Sequence, residues 1–176
     1  MMRAAEIQAY PRPLTAWWVV LLVFVAAIIS YSDRQVMSLV VDPIRHDLGI
    51  SDVRIGLLIG TAFAAIYALA GIPLGFLADR TSRRNLIVAG MLLWSAATIY
   101  CGFAGTFGEM FAGRVAVGLG EAVLSPAAVS LVGDFFPPER RGTALGVYFT
   151  GVSIGIGSAV MIGGGLLSVI NAGLLS

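Results

Sequence analysis

Apolar and polar stretches alternate along the whole chain at a coarse period. Apolar runs cover about residues 17–41, 55–77, 86–104, 110–132 and 143–169. Each is close to the roughly 20 residues that an α-helix needs to cross a ~30 Å hydrocarbon core. The polar connections "DPIRHDLGISDVR", "ADRTSRRN", "GTFGE" and "GDFFPPERRG" are too short to be separate domains. The pattern predicts an all-α transmembrane protein of about five membrane-spanning helices. A segment 1–16 precedes them and a short end, 170–176, follows. The start resembles a signal peptide, with Arg3 and Arg12 ahead of an apolar run. A polar but still helical continuation and four further spans favour an uncleaved first span instead.

Composition agrees. Charged residues are 12 % and hydrophobic ones 58 % of the chain, against about 25 % charged in a soluble domain. The net charge of +1 gives no footing for nucleic acid, and the lipid bilayer is the expected surrounding. Every basic residue is Arg, and their placement orients the chain. Arg3 and Arg12 precede the first span, Arg80, Arg83 and Arg84 follow the second, and Arg140 and Arg141 follow the fourth. The opposite side has Arg45 and Arg54, offset by Asp42, Asp47 and Asp52. Arginine marks cytoplasmic loops, so the N-terminus is expected in the cytoplasm of a bacterial inner membrane. Trp17 and Trp18 suit an interfacial anchor.

Glycines four apart recur within the spans, at Gly56/Gly60, Gly71/Gly75, Gly142/Gly146 and Gly151/Gly155. Such faces let backbones approach closely in lipid, which predicts a tight bundle. Pro73 and Pro126 lie inside spans and predict kinks, tolerated where neighbours re-satisfy the freed backbone groups. Cys101 has no partner for an internal disulfide and reads as packing. His46, the only histidine, offers no second metal ligand of its kind, and no cofactor is expected.

Four charges stand well inside the apolar runs: Asp33, Arg34, Arg114 and Glu121. Each costs at least ~2.5–3.5 kcal/mol at the bilayer centre, so they should face protein or a water-filled cavity. Asp33 and Arg34 are adjacent, about 100° apart on a helix, and need partners from another span. Arg114, Gly118 and Glu121 share one face of the fourth span. At 1.5 Å per residue, Arg114, Asp33 and Glu121 lie ~6, ~12 and ~16 Å from the outer ends of their spans. These overlapping depths predict two cross-pairs, Arg114 with Asp33 and Glu121 with Arg34. A structural ion-pair network is one reading. The sharper reading is a proton site at Asp33, with Glu121 second, because desolvation and a nearby guanidinium pull a carboxyl in opposite directions.

The stretch Gly75-Phe-Leu-Ala-Asp79-Arg80-Thr-Ser-Arg83-Arg84 resembles the G-x-L-a-D-R-x-G-R-R loop of the major facilitator superfamily, with Ser82 in place of the usual Gly. In that family the loop latches two halves in one conformation, the role the resemblance implies for Gly75, Asp79, Arg80, Arg83 and Arg84. "YSDR" and "RVAVGLGEAVLSPA" are similar to the spinster-like transporters, with the organic anion–cation symporters as the alternative subgroup. By that resemblance Asp33 is the proton-linked carboxylate, and Arg34, Arg114 and Glu121 line the central cavity. Tyr31 is a further cavity candidate. In a half built of two inverted three-helix repeats, the first and fourth spans are equivalent and line the substrate path.

The implied protein is a proton-coupled secondary transporter that moves a small organic or lipid-like solute by alternating access. It is not an enzyme. Gly151-Val-Ser153-Ile-Gly155 matches G-x-S-x-G, but that motif needs a strand–turn–helix setting and a His partner. The superfamily fold has twelve spans, so five imply part of the N-terminal six-helix bundle, with a missing C-terminal half as partner. Such a piece is not expected to transport alone. A non-transporting assembly partner is the rival reading.

Overall fold

The structure, a computed structural model, describes residues 10–171 and Gly173. Arg3 and the rest of the segment before Tyr10 lie outside the described residues, as does most of the end beyond Asn171. Five helices are long and apolar enough to cross a membrane: Pro13–Leu39, Asp52–Arg80, Arg83–Cys101, Phe107–Phe135 and Pro138–Gly165. No strand occurs among the described residues. The expected all-α transmembrane architecture is what forms.

Local chemistry sets the ends. Pro13 opens the first span at the position where a missing N–H costs nothing. Thr106 and Glu109 form a reciprocal capping box at the start of the fourth span. Glu109 N donates to Thr106 Oγ1 at 3.3 Å, and Thr106 N donates to Glu109 Oε2 at 3.1 Å. Ser82 caps the third span by accepting from Asn85 N at 3.5 Å. Its φ of −66° is ordinary backbone, so the turn never required the glycine that the resemblance led one to expect.

The segment after the first span is more ordered than its polarity suggested. Val41–Leu48 forms a separate short helix that ends on Gly49 at φ 58°. Arg45 ties this helix to the next span through Asp52 at 3.0 Å. Pro73 sits within a helix that continues to Arg80. The second span departs from α geometry earlier, in a π-helical turn at Leu57–Thr61. The fourth span breaks at Val123, between helices Phe107–Ala122 and Leu124–Phe135. Pro126 lacks the N–H that the Ala122 carbonyl would accept from, which accounts for the interruption one turn upstream.

Glycine governs two close crossings. The first span packs along the fifth, where a Cβ on Gly155 would stand 2.6 Å from the Ile28 carbonyl oxygen, and one on Gly151 2.8 Å from that of Phe24. The third and fourth spans meet at Gly90 and Gly120, where each added Cβ would stand 2.7 Å from the other residue's carbonyl oxygen. Gly56/Gly60, Gly71/Gly75 and Gly142/Gly146 face open space within this chain. So one of the four sequence pairs makes a crossing inside the bundle. The fourth span lies at the centre, with 56 % of the residues in its 18-residue apolar stretch buried against 33 % or less in the other four. Leu69, Ile72, Phe76, Leu92 and Ile99 point outward from the second and third spans.

Candidate functional site

The adjacent charges of the first span enter two different compartments. Arg34 turns toward the second and fourth spans. Its Nε donates to Glu121 Oε2 at 2.5 Å, and the Glu121 side chain is fully enclosed while that of Arg34 keeps 19 % exposure. The Arg34 Cζ lies 4.5 Å from the Tyr31 ring centroid, 4.7 Å from Phe63 and 4.6 Å from Tyr67. Tyr31 stands one turn before Arg34. Phe63 and Tyr67 are four apart on the second span, with rings stacked at 5.8 Å. The π-helical turn directly precedes them, and its extra residue resets which face of the helix looks inward. The buried Ser30 hydroxyl lies beside the Glu121 carboxyl without closing to good hydrogen-bond geometry.

Asp33 points the other way, toward the third span, where Thr98 Oγ1 donates to its Oδ2 at 3.3 Å. It lines a cavity of about 350 Å³ together with Asp47, Thr98, Cys101 and Arg114. Arg114 is 5 % exposed, and its Cζ is 5.4 Å from the Phe63 ring centroid. Both guanidiniums therefore lean on one ring. The expected pairing of Arg34 with Glu121 forms. Arg114 and Asp33 share a cavity without closing to an ion pair; Thr98 donates to the carboxylate and Phe63 lies against the guanidinium. Cys101 is half-buried against this cavity, so it contributes to a wall as well as to packing.

A second cluster joins the polar ends of the second, third and fourth spans. Arg83 Nη1 pairs with Asp134, and Arg83 Nη2 lies 3.8 Å from Asp79 Oδ1. Ser130 Oγ donates to the same Asp79 oxygen at 3.3 Å. Gly75 and Asp79 line a groove of about 560 Å³ with Gly71, Ser125 and Ser130. Arg80 and Arg84 are exposed at its end. Arg141 donates to the Gly133 carbonyl at 2.8 Å and to that of Phe136 at 3.0 Å, which satisfies the last carbonyls of the fourth span.

Sequence reasoning missed Phe63, Thr98 and Asp134. The spacing of Phe63 and Tyr67 was a usable signal once Arg34 was known to need an apolar wall. Nothing in the sequence tied Asp134 to Arg83, 51 positions earlier. Ser153 is an exposed residue in the middle of the fifth helix, without the strand–turn–helix setting of a hydrolase. Among the described residues no three His, Cys, Asp or Glu side chains group as metal ligands. Chemically, the first compartment offers one cation between a buried carboxylate and aromatic rings. The second offers a carboxylate with a hydroxyl and a distant guanidinium.

The family described as Major Facilitator Superfamily matches residues 23–173. An MFS-type efflux pump of Mycolicibacterium smegmatis (strain ATCC 700084 / mc(2)155) is 33 % identical over 156 residues, 89 % of this chain and 36 % of the relative. A probable L-galactonate transporter of Escherichia coli (strain K12) is 35 % identical over 77 % of this chain and 30 % of its own length. Among solved structures, a bacterial homologue of the human lysosomal transporter spinster, inward-facing and unoccupied, superposes with a TM-score of 0.84 at 36 % identity. That match covers 89 % of this chain and 33 % of the other. The chain thus spans about a third of the length of the relatives it matches.

Proposed function

The chain belongs to the Major Facilitator Superfamily, and we propose that it supplies part of the substrate path of a proton-coupled secondary transporter for a small organic solute bearing a carboxylate. The observation that carries this reading is the Arg34–Glu121 pair at 2.5 Å inside walls made by Tyr31, Phe63 and Tyr67. An Arg guanidinium is a planar fork matched to a carboxylate, and here one carboxylate already occupies it. A substrate carboxylate takes that place when Glu121 accepts a proton and releases the guanidinium. Binding of the anion and uptake of a proton are then one event. Asp33, beside Thr98 and Arg114, is the second proton-carrying group. Support for the substrate class comes from the probable L-galactonate transporter of Escherichia coli, a sugar-acid relative by name.

In this reading the remaining helices of the transporter close the opposite wall, and alternating access is a rocking of one bundle on the other. The Arg83 cluster holds the second, third and fourth spans together at the end that rocks. The arginine-rich ends lie in the cytoplasm, as positive loops do. The test is equilibrium binding of radiolabelled L-galactonate to the chain in lipid nanodiscs. Binding is expected at mildly acidic pH and weaker at neutral pH. Arg34→Gln should abolish it, and Arg34→Lys should weaken it by losing the fork. Equal binding by wild type and Arg34→Gln would remove the substrate reading.

A further inference from the structure

The cavity that holds Asp33 opens at the end of the bundle opposite the arginine-rich loops. Its mouth is formed by Ile44, Asp47 and Leu48 of the short helix and by the Gly102–Ala104 turn. Asp47 at this mouth is exposed, with 77 % of its side chain open to solvent. At about 350 Å³ the cavity has room for several waters, and carboxylate, hydroxyl and guanidinium groups are present to hold them. Arg34, Glu121, Tyr31 and Tyr67 are not among its walls. Phe63, 9 % exposed, stands where the two compartments approach and carries a guanidinium from each.

We infer that this cavity is a proton vestibule that serves Asp33 from the outer side, inside the bundle and separate from the substrate compartment around Arg34. The inference rests on the proton-coupled reading of Asp33. A hydronium ion enters past Asp47, gives its proton to an Asp33 carboxylate oxygen and leaves as water. The groups that face Asp33 are Thr98 and Cys101 on the third span and Arg114 on the fourth, with Asp47 of the short helix lining the same cavity; the charges of Arg34 and Glu121 reach it from the neighbouring compartment. Phe63 is the partition. Asp33 can then exchange protons with the outer side while the compartment around Arg34 is closed to that side.

Cys101 is the only cysteine of the chain and lines the vestibule, so this chain carries its own reporter. The chain is reconstituted in sealed proteoliposomes of one orientation and treated with a membrane-impermeant cationic methanethiosulfonate. Labelling of Cys101 is expected from the outer side only. It should be largely lost in Ile44→Trp, with Leu48→Trp as the second plug should the first misfold. A second readout is the infrared carboxylic C=O band that Asp33→Asn removes. It should follow pH jumps on the outer side, more slowly in the plugged variants. Labelling from the arginine-rich side, or labelling and kinetics indifferent to both plugs, overturns the vestibule. An Asp33 band that follows only the other side also overturns it but leaves Asp33 as a proton site. Outer labelling with no titrating Asp33 band overturns the inference through the proton reading itself.

Discussion

Replacing Glu121 with Gln keeps the shape of the side chain and removes its charge. Glu121 is 1 % exposed, and among the described residues its ion-pair partner is Arg34 at 2.5 Å. Breaking a buried ion pair by removing one partner typically costs about 3–5 kcal/mol. Two features lower the figure here. Arg34 keeps 19 % of its side chain exposed and three aromatic rings at 4.5–4.7 Å, and each desolvated cation–π contact offsets about 0.5–2 kcal/mol. The expected loss is about 2 kcal/mol. That is roughly a thirtyfold change in the unfolding equilibrium, since about 1.4 kcal/mol is a factor of ten. Reversible unfolding in mixed micelles by added SDS, followed by tryptophan fluorescence, reads this directly. Trp94, 4 % exposed and packed on Leu124 and Ala26, is the reporter near the site. Replacing both partners, as Arg34→Met with Glu121→Leu, should cost less than Glu121→Gln alone by about 1 kcal/mol, because no buried charge is then left over. A double variant as unstable as the sum of its single changes would show that the two side chains are not coupled.

Other sites carry their own expectations. Gly155→Leu forces the first and fifth spans apart at the Ile28 carbonyl and should destabilise by about 1–3 kcal/mol, as overpacking does, while Gly146→Leu, facing open space, leaves stability of this chain unchanged in the same SDS titration. Thr106→Ala removes one half of the capping box and should cost about 1 kcal/mol, visible as faster amide exchange at residues 107–109. Arg83→Gln loses contacts to Asp134 and Asp79, which are 46 % and 68 % exposed at their side chains. Its cost should stay near 0.2–1 kcal/mol for a partly exposed pair and shrink in high salt, as screening requires.

Much of this protein can be read from the order of its residues, for identifiable reasons. Crossing a bilayer demands about 20 apolar residues, so the five spans stand out, with ends shifted by a few residues from their observed limits. The cost of intramembrane charge singled out Asp33, Arg34, Arg114 and Glu121, and helix depth brought Arg34 to Glu121. The other pair comes together in one cavity without closing to an ion pair, because rotation about a helix, unlike depth, depends on neighbours. Thr98 and Phe63 compete for Asp33 and Arg114, and neither carries a charge that would announce it. The π-helical turn before Phe63 also changes helix phase in a way that a fixed 3.6-residue period cannot anticipate. Gly90 and Gly120 form a contact between different spans, so no spacing within one helix reveals it. Ser82 shows the reverse case, a departure from a loop pattern that ordinary backbone angles absorb without strain.

In the proposed mechanism a substrate carboxylate and Glu121 compete for Arg34, with a proton settling the exchange. Proton uptake on binding measures this directly. L-galactonate is added to the chain in weakly buffered nanodiscs, and the pH change is recorded with a soluble indicator dye. Uptake of about one proton per bound anion is expected, as linkage between the two equilibria requires, with loss of that uptake in Glu121→Gln. Binding of the anion with no proton taken up, or with uptake unchanged in Glu121→Gln, would contradict it.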